Sequence, residues 1–344
     1  MRNGPDGDPK KVSVIVVNWN GEAHLPECLD ALRRQSRAPD QIILVDNAST
    51  DGSREIIEQY PEVYLLALRE NLGFGGGNLA GLEHASGDYI VLLNNDTAPQ
   101  EDWLRELCAT ADEDETVGIV ASVMCTWDGT RIDTAGDGCT ISGRGFKLMH
   151  GQTVWEAPRS RAIVFSACAG AALYKREMIE DVGFLEPRFF MNAEDTDLAF
   201  RARLRGWKVA LAPAALVRHR VSASQGIYSD SAVYFSARNH LWLYLRCMPQ
   251  PLFWLYMPAV VLHGITSLLF FASRRQARPY LSGVVHALKG LRWALQTRQI
   301  IQSQSRVGWR AIQRSLSPIG TYIRSKTSVR DSKALLCSDQ SDLP

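Results

Sequence analysis

Across the first 125 residues, short β-branched runs alternate with stretches of helical periodicity, and this rhythm restricts the fold more than any other feature. Residues 12–17, 41–45, 63–68, 89–93 and 117–124 read as strands, and 22–34, 53–60, 76–85 and 101–111 as helices. Parallel strands need a crossover connection, and an intervening helix supplies it, so the pattern predicts βαβ units and a largely parallel sheet. Ligands of such sheets collect beyond the carboxyl ends of the strands. Asn18-Trp19-Asn20, Asp46-Asn47 and Asn94-Asn95-Asp96 all stand at those ends, so their side chains are expected to converge on one edge.

At 344 residues and 46% hydrophobic composition the chain can bury a large core. Its net charge of +1 conceals an asymmetry: residues 1–230 carry 23 Lys+Arg against 34 Asp+Glu, and residues 231–344 carry 15 against 3. An acidic region joined to a basic one implies two tasks, the second with an anionic partner. Seven scattered cysteines without CxxC spacing argue against a disulfide framework or a zinc cage. The polar N-terminus lacks the apolar core of a signal peptide, so export by that route is not expected.

Beyond residue 125 the pattern weakens. Residues 126–165 are Gly-rich and read as a mobile loop or short hairpins near the site. A helical pattern begins near Glu194, and 207–212 reads as a strand. From Cys247 to Ser273 there is no Asp, Glu, Lys or Arg, and 251–271 is long enough to span a bilayer, although Pro258 and His263 interrupt it. Arginines flank both sides, so the positive-inside rule gives no orientation, and a helix lying at the interface is an equal reading. Arg278, Lys289, Arg292 and Arg298 among apolar residues suggest an amphipathic helix for an anionic membrane surface. That apolar setting favours lipid over nucleic acid.

Several polar clusters are candidates for chemistry, each with a plain structural reading beside it. Asp46 ends a strand, where its carboxylate could accept from a base or ribose, while Ser49 or Asp51 could simply cap the next helix. Asn71 to Asn78, with Gly77 among its glycines, offers a helix start where backbone N–H groups could approach phosphate. Asn94-Asn95-Asp96 suits Mg2+ or Mn2+, hard cations that bind through one or two carboxylates plus substrate phosphate; an Asn/Asp-rich turn is the alternative. Glu194-Asp195-Thr196-Asp197 places three acids where the helix dipole favours them, with Asp197 able to pair with Arg201 one turn on. His219 stands alone in its segment, either structural or a ligand.

Taken in order, the segments around Val17-Asn18-Trp19-Asn20, Asp46-Asn47, Asn71–Asn78, Asn94-Asn95-Asp96, Glu194-Asp195 and the late His219 resemble family 2 glycosyltransferases, especially the bacterial rhamnosyltransferase-like branch, over roughly residues 12–245. The resemblance implies an α/β GT-A fold, with a Rossmann-like, mostly parallel central sheet, and an inverting transfer from a nucleotide-diphosphate sugar. It also implies roles. Val17, Trp19 and Asp46 look like the nucleotide pocket, which Asn71, Gly77, Asn78 and Asn95 would extend. Asp96 looks like the last acid of a DxD motif whose first position is here Asn94, and His219 like the histidine completing the metal site. Asp195, beside Glu194, looks like the catalytic base. Tyr234, Arg238 and Asn239 resemble the start of the branch's C-terminal helix.

These readings divide the chain into a flexible 1–11, a catalytic domain at 12–230, a helical membrane-associated region at 231–314 and a disordered tail at 315–344. They place it on the cytoplasmic face of a bacterial membrane, with dTDP-rhamnose as the expected donor and a lipid-linked saccharide or surface polysaccharide as the acceptor. A nucleotide-sugar nucleotidyltransferase would share the strand edge, but such enzymes open with a Gly-rich, basic first turn, unlike Asn18-Trp19-Asn20-Gly21-Glu22. A membrane-tethered module that binds nucleotide-sugar without turnover is the third reading.

Overall fold

The computed structural model describes residues 9–220 and 229–321; the expectations for 1–8 and 322–344 lie outside it. The βαβ rhythm is realised directly. β1 (Val12–Asn18), α1 (Leu25–Arg33), β2 (Gln41–Asp46), α2 (Ser53–Ile57), β3 (Val63–Ala67), α3 (Gly73–Leu82) and β4 (Tyr89–Asn94) build the parallel half of the sheet. After β5 (Thr97–Pro99), α4 (Trp103–Glu113) and β6 (Val117–Thr126), the Gly-rich segment forms β7 (Ile132–Ala135), β8 (Asp137–Cys139) and β9 (Gly145–Lys147). Then come β10 (Ala162–Val164), β11 (Ala171–Lys175), α5 (Arg176–Val182), α6 (Glu194–Leu204) and β12 (Lys208–His219). The helices α7 (Asp230–Cys247), α8 (Gln250–Ser273), α9 (Ala277–Lys289), α10 (Leu291–Ser303) and α11 (Trp309–Ser315) complete the described chain.

The main strand order is β10-β12-β6-β11-β4-β1-β2-β3, with β11 antiparallel to both of its neighbours. The chain steps outward from β1 through β2 to β3, then returns to place β4 on the other side of β1. That reversal opens a crevice at the carboxyl ends of β4, β1 and β2, where a ligand of this fold class belongs. Alternate residues of β1 feed two cores: Val12, Val14 and Val16 join α1 and α4, whereas Ile15 faces the side carrying α3 and α6. Burial on both faces explains why β1, β2 and β4 read as continuous apolar runs.

The fold departs from expectation in three places. β12 runs on to His219 rather than stopping at 212: Pro213 cannot donate, so pairing with β6 shifts register between Leu211 and Leu216 and then resumes. The expected amphipathic helix over 278–295 is two helices, divided at Gly290, where a Cβ would stand 2.7 Å from the Trp242 ring. The start of the expected disordered tail is held: Ser317 N donates to Cys139 O and Ser317 O accepts from Ile141 N, at 2.8 and 2.9 Å. The C-terminal helices share a core with the sheet-bearing region, in which Phe189 and Phe200 pack with Trp242, Leu243, Leu252 and Ile312.

Candidate active site

Sheet register assembles the first part of the site. Asn18 lies opposite Asp46, and Val17 opposite Asn94, so three strand ends meet in one row. The loop after β1 is fastened to the loop after β2 by reciprocal bonds: Asn20 N donates to Ser49 Oγ at 3.0 Å and Thr50 N to Asn20 Oδ1 at 2.8 Å. Trp19 projects at 37% exposure beside this clasp, a flat apolar face available to a base. Asp46 is fully buried and already engaged, taking Arg54 Nε at 2.7 Å on one oxygen and Ser49 N at 3.2 Å on the other. A carboxylate oxygen accepts more than one bond, so Arg54 and a nucleotide can share it. Asn95 turns inward, donating to Asn18 Oδ1 at 2.6 Å, which locks β4's end to β1's.

The phosphate cradle expected at the glycine-rich helix start is corrected by the structure. The N–H groups of Phe74 and Gly75 both donate to Phe190 O, and Asn71 Oδ1 accepts from Gly73 N and Asn47 Nδ2, so these groups are occupied within the protein. Asn78 bonds back to Phe74 O at 2.9 Å. Gly77 serves packing: a Cβ there would stand 2.9 Å from Val17 Cγ1, because α3 lies directly on β1. Asn47, one of the strand-end residues, organises this turn by also accepting from Leu72 N and donating to Gly73 O.

The acidic part is built by long-range pairing. β5 runs antiparallel to β12 with Thr97 opposite His219, which sets the preceding Asp96 beside the imidazole. Asp96 Oδ1 lies 3.6 Å from His219 Nε2 and is, among the described residues, buried without a hydrogen-bond partner. Such an orphaned oxygen facing an imidazole nitrogen, at the sheet edge, fits a divalent cation held by Asp96 and His219. Asn94 contributes backbone order through its N–H to Gly170 O at 2.8 Å, and its side chain lies against Gly170. On the far side of the ring, His219 Nδ1 meets Asp133 Oδ2 at 3.0 Å, and Lys147 Nζ donates to Asp133 Oδ1 at 2.6 Å. Burial would lower the His219 pKa, but the hydrogen bond to Asp133 and the charges of Asp133 and Asp96 overcome it and raise it to about 9.

Asp195 sits at the start of α6, where Oδ1 accepts from Thr196 N at 2.6 Å and Oδ2 faces Ala169 N at 3.4 Å. Ligand atoms of Asp137, Cys168 and Asp195 all lie within 4.8 Å of one another. Burial and the charge of Asp195 push the Asp137 carboxyl up to about 7, and burial also raises Asp195. Glu194 points one buried oxygen at no partner among the described residues, and burial, with Asp195 and Asp197 adding charge, pushes it up to about 8. Asp197 behaves differently: Arg201 at 2.8 Å and Arg246 at 3.3 Å outweigh its burial and hold it ionised. It is therefore a structural anchor, as its spacing from Arg201 implied.

The turn that delivers Glu194 and Asp195 is strained. Phe190, Asn192 and Ala193 all have left-handed φ values, of 64°, 67° and 71°. One buried side chain restrains it: Asn239 Nδ2 of α7 lies 2.9, 2.7 and 2.8 Å from the carbonyls of Phe189, Met191 and Asn192. Sequence reasoning missed Asp133, Asp137 and Lys147, which come from the Gly-rich segment without periodicity. Their one available signal was the clustering of acids at 128, 133 and 137 among glycines.

With this geometry in place, comparison with known proteins is informative. Residues 13–183 match the family model described as Glycosyl transferase family 2. EpsH of Bacillus subtilis, itself provisionally named a glycosyltransferase, is 26% identical over 255 residues, covering 67% of this chain and 70% of EpsH. The N-acetylglucosaminyl-diphospho-decaprenol L-rhamnosyltransferase of Mycobacterium tuberculosis is 25% identical over 250 residues, covering 66% and 80%. GalNAc-T7, solved with UDP, GalNAc and Mn2+, superposes with a TM-score of 0.59 at 16% identity, covering 92% of this chain but 57% of that one. The structural likeness speaks for the fold alone, and the sequence matches support glycosyl transfer. The chain has an α/β GT-A fold, and its residues 13–183 match the model for glycosyltransferase family 2.

Proposed function

We propose that this chain is an inverting, metal-dependent glycosyltransferase that moves a sugar from a nucleotide-diphosphate donor to a hydroxyl of a lipid-linked saccharide or surface polysaccharide. The observation that carries this reading is Asp96 Oδ1, buried without a hydrogen bond among the described residues and facing His219 Nε2 on the sheet edge that also bears Trp19 and Asp46. Trp19 offers stacking to the base and Asp46 hydrogen-bond acceptance to the nucleoside, as the loop clasp orients both. A divalent cation on Asp96 and His219 would neutralise the departing diphosphate, worth about 4 kcal/mol for unit charges ~4 Å apart at an effective dielectric near 20.

Asp195 takes the proton from the acceptor hydroxyl as that oxygen attacks the anomeric carbon, so the configuration inverts. Burial makes it a stronger base once ionised, and the Asp137 carboxyl beside it opposes ionisation of both together. Activity therefore rises with pH as the pair loses its proton. Rhamnose from dTDP-rhamnose is the proposed donor sugar, on the strength of the mycobacterial relative's name. The basic, apolar C-terminal helices support placement at the cytoplasmic face of a bacterial membrane.

The test is a panel of nucleotide-sugars, assayed for binding with and without Mn2+ and for release of labelled nucleoside diphosphate with a lipid-linked acceptor. Binding and turnover of at least one donor is expected. Failure of every donor to bind overturns the transferase reading, and binding without release identifies a silent module.

A further inference from the structure

Length alone lets α8 cross a bilayer: its 24 residues extend about 36 Å at roughly 1.5 Å per residue, against a hydrocarbon core of ~30 Å. Its contacts point elsewhere. One stripe of the helix packs on α7, α9 and α11, with Leu252, Phe253, Val260 and Phe271 buried at intervals along it. Polar bonds accompany this stripe. Tyr244 Oη donates to Phe253 O at 2.6 Å, Gln313 Nε2 to Tyr256 Oη at 3.0 Å, and Tyr280 Oη to Gly264 O at 3.1 Å. At the centre, Arg144 of the turn joining β8 and β9 meets His263 Nε2 at 3.2 Å, and the His263 ring stacks on His240. The anchored interval from Leu252 to Phe271 covers roughly 28 Å, so a spanning orientation would carry Arg144, His240 and Gln313 into hydrocarbon.

The opposite stripe is apolar and exposed, with Trp254, Leu255, Leu262, Ile265 and Leu269 on one face. α9, which packs on α8, exposes Leu281, Val285 and Leu288 in the same manner. Arg274, Arg275, Arg278, Lys289 and Arg292 are exposed along these helices, and no acidic residue occurs between positions 231 and 330. We infer that α8 does not span the membrane but lies in its plane, with the Trp254–Leu262–Leu269 stripe sunk into the headgroup and acyl boundary of an anionic bilayer. A half-packed helix with an apolar outer stripe and a cationic border fits that surface and not a hydrocarbon crossing. This rests on the membrane association proposed above and adds its geometry, which holds the active site next to a lipid-borne acceptor.

The test uses the full chain with a fluorescent residue introduced separately at positions 254, 262 and 269, bound to vesicles of phosphatidylglycerol and phosphatidylcholine. Lipids carrying quenchers at shallow or deep positions report depth. Similar shallow quenching at all three positions is expected, together with weak binding to pure phosphatidylcholine or in high salt. Quenching that is deep at 262 and shallow at 254 and 269 would show a crossing and overturn the inference, as would no binding to vesicles at all, including self-association through this face instead. Leu262→Gln with Leu269→Gln should weaken vesicle binding on the order of tenfold or more while leaving the fold intact by circular dichroism. Donor binding by the same chains is read in parallel, so failure of the membrane geometry and failure of the transferase reading give different patterns.

Discussion

The two sides of the crevice handle their polar groups in opposite ways. On the side proposed for the nucleotide the polar groups are spent on partners within the protein: Asn95 on Asn18, Asn47 on Asn71, Asp46 on Arg54 and Ser49. On the acidic side Asp96 Oδ1 and Glu194 Oε2 are buried without a hydrogen bond among the described residues, and Asp137 and Glu194 are pushed towards their neutral forms. Buried polar atoms normally find partners, because leaving one unmade costs about 1–3 kcal/mol. The first side is thus a finished frame that shapes a pocket, whereas the second retains unsatisfied groups that substrate and cation can complete.

The contrast is tested most severely at Asp195. Asp195→Asn keeps the shape but cannot accept a proton, so transfer should fall by about 10²–10⁴-fold while donor binding, measured by calorimetry, stays near wild type. Undiminished turnover would remove Asp195 from the role of base. Asp96 and Asn95, adjacent in sequence, provide the sharpest pair. Asp96→Ala should abolish the Mn2+ dependence of donor binding while costing folding only its charge interaction with His219, since among the described residues Oδ1 makes no hydrogen bond to lose. Asn95→Ala should do the reverse, lowering Tm by stranding Asn18 while leaving the Mn2+ response intact. Equal Tm losses in both would erase the distinction between frame and reactive side.

A smaller effect is expected at Asp133, which holds the His219 ring through Nδ1, on the side away from Asp96. A carboxylate in that position fixes the tautomer that presents Nε2 to a metal, and losing it commonly weakens metal affinity about 10–100-fold. Asp133→Asn should show that loss in Mn2+ binding followed by electron paramagnetic resonance, with Tm recorded alongside. Unchanged Mn2+ affinity would make the Asp133–His219 bond purely structural. Asn239→Ala is expected to act through the strained turn: with the carbonyls of Met191 and Asn192 released and that of Phe189 left to Arg238, kcat should fall several-fold with little change in donor KM. A change in KM alone would detach Asn239 from the positioning of Asp195.

Legibility in the sequence followed the range of the interactions. The parallel half of the sheet and its strand-end residues were readable because each βαβ unit is local and each polar residue directly follows an apolar run. Asp96 and His219 were separate candidates, but their contact depends on the register of β5 against β12, which no local pattern encodes. Asp133, Asp137 and Lys147 were hidden in short strands held mainly by tertiary contacts. The glycines of α3 misled for a definite reason. The same absence of a Cβ serves close approach to phosphate or to a sheet, and here Val17 and Ile15 occupy that space. Composition suggested a separable basic region after residue 230, whereas Asn239 and Arg246 of α7 bond directly to the turn and to the acid anchor of the site.

That attachment supplies the mildest expectation. Asp181 receives Arg205, Trp207 and Arg306, so one carboxylate joins α6 to the segment after α10. Its hydrogen bond from Arg205, aided by Trp207 and the nearby charges, holds its pKa down to about 2. A depressed carboxylate contributes its full stabilisation above the unfolded value, near ~3.9, and loses it as pH falls through the folded value. The partners are partly solvated, so Asp181→Asn should cost only about 1 kcal/mol at neutral pH. In urea unfolding the gap between wild type and variant should hold from pH 7 to 5 and narrow below about 4. A gap that persists unchanged at pH 3 would mean that shape, rather than charge, fastens the segment after α10 to the C-terminal end of α6.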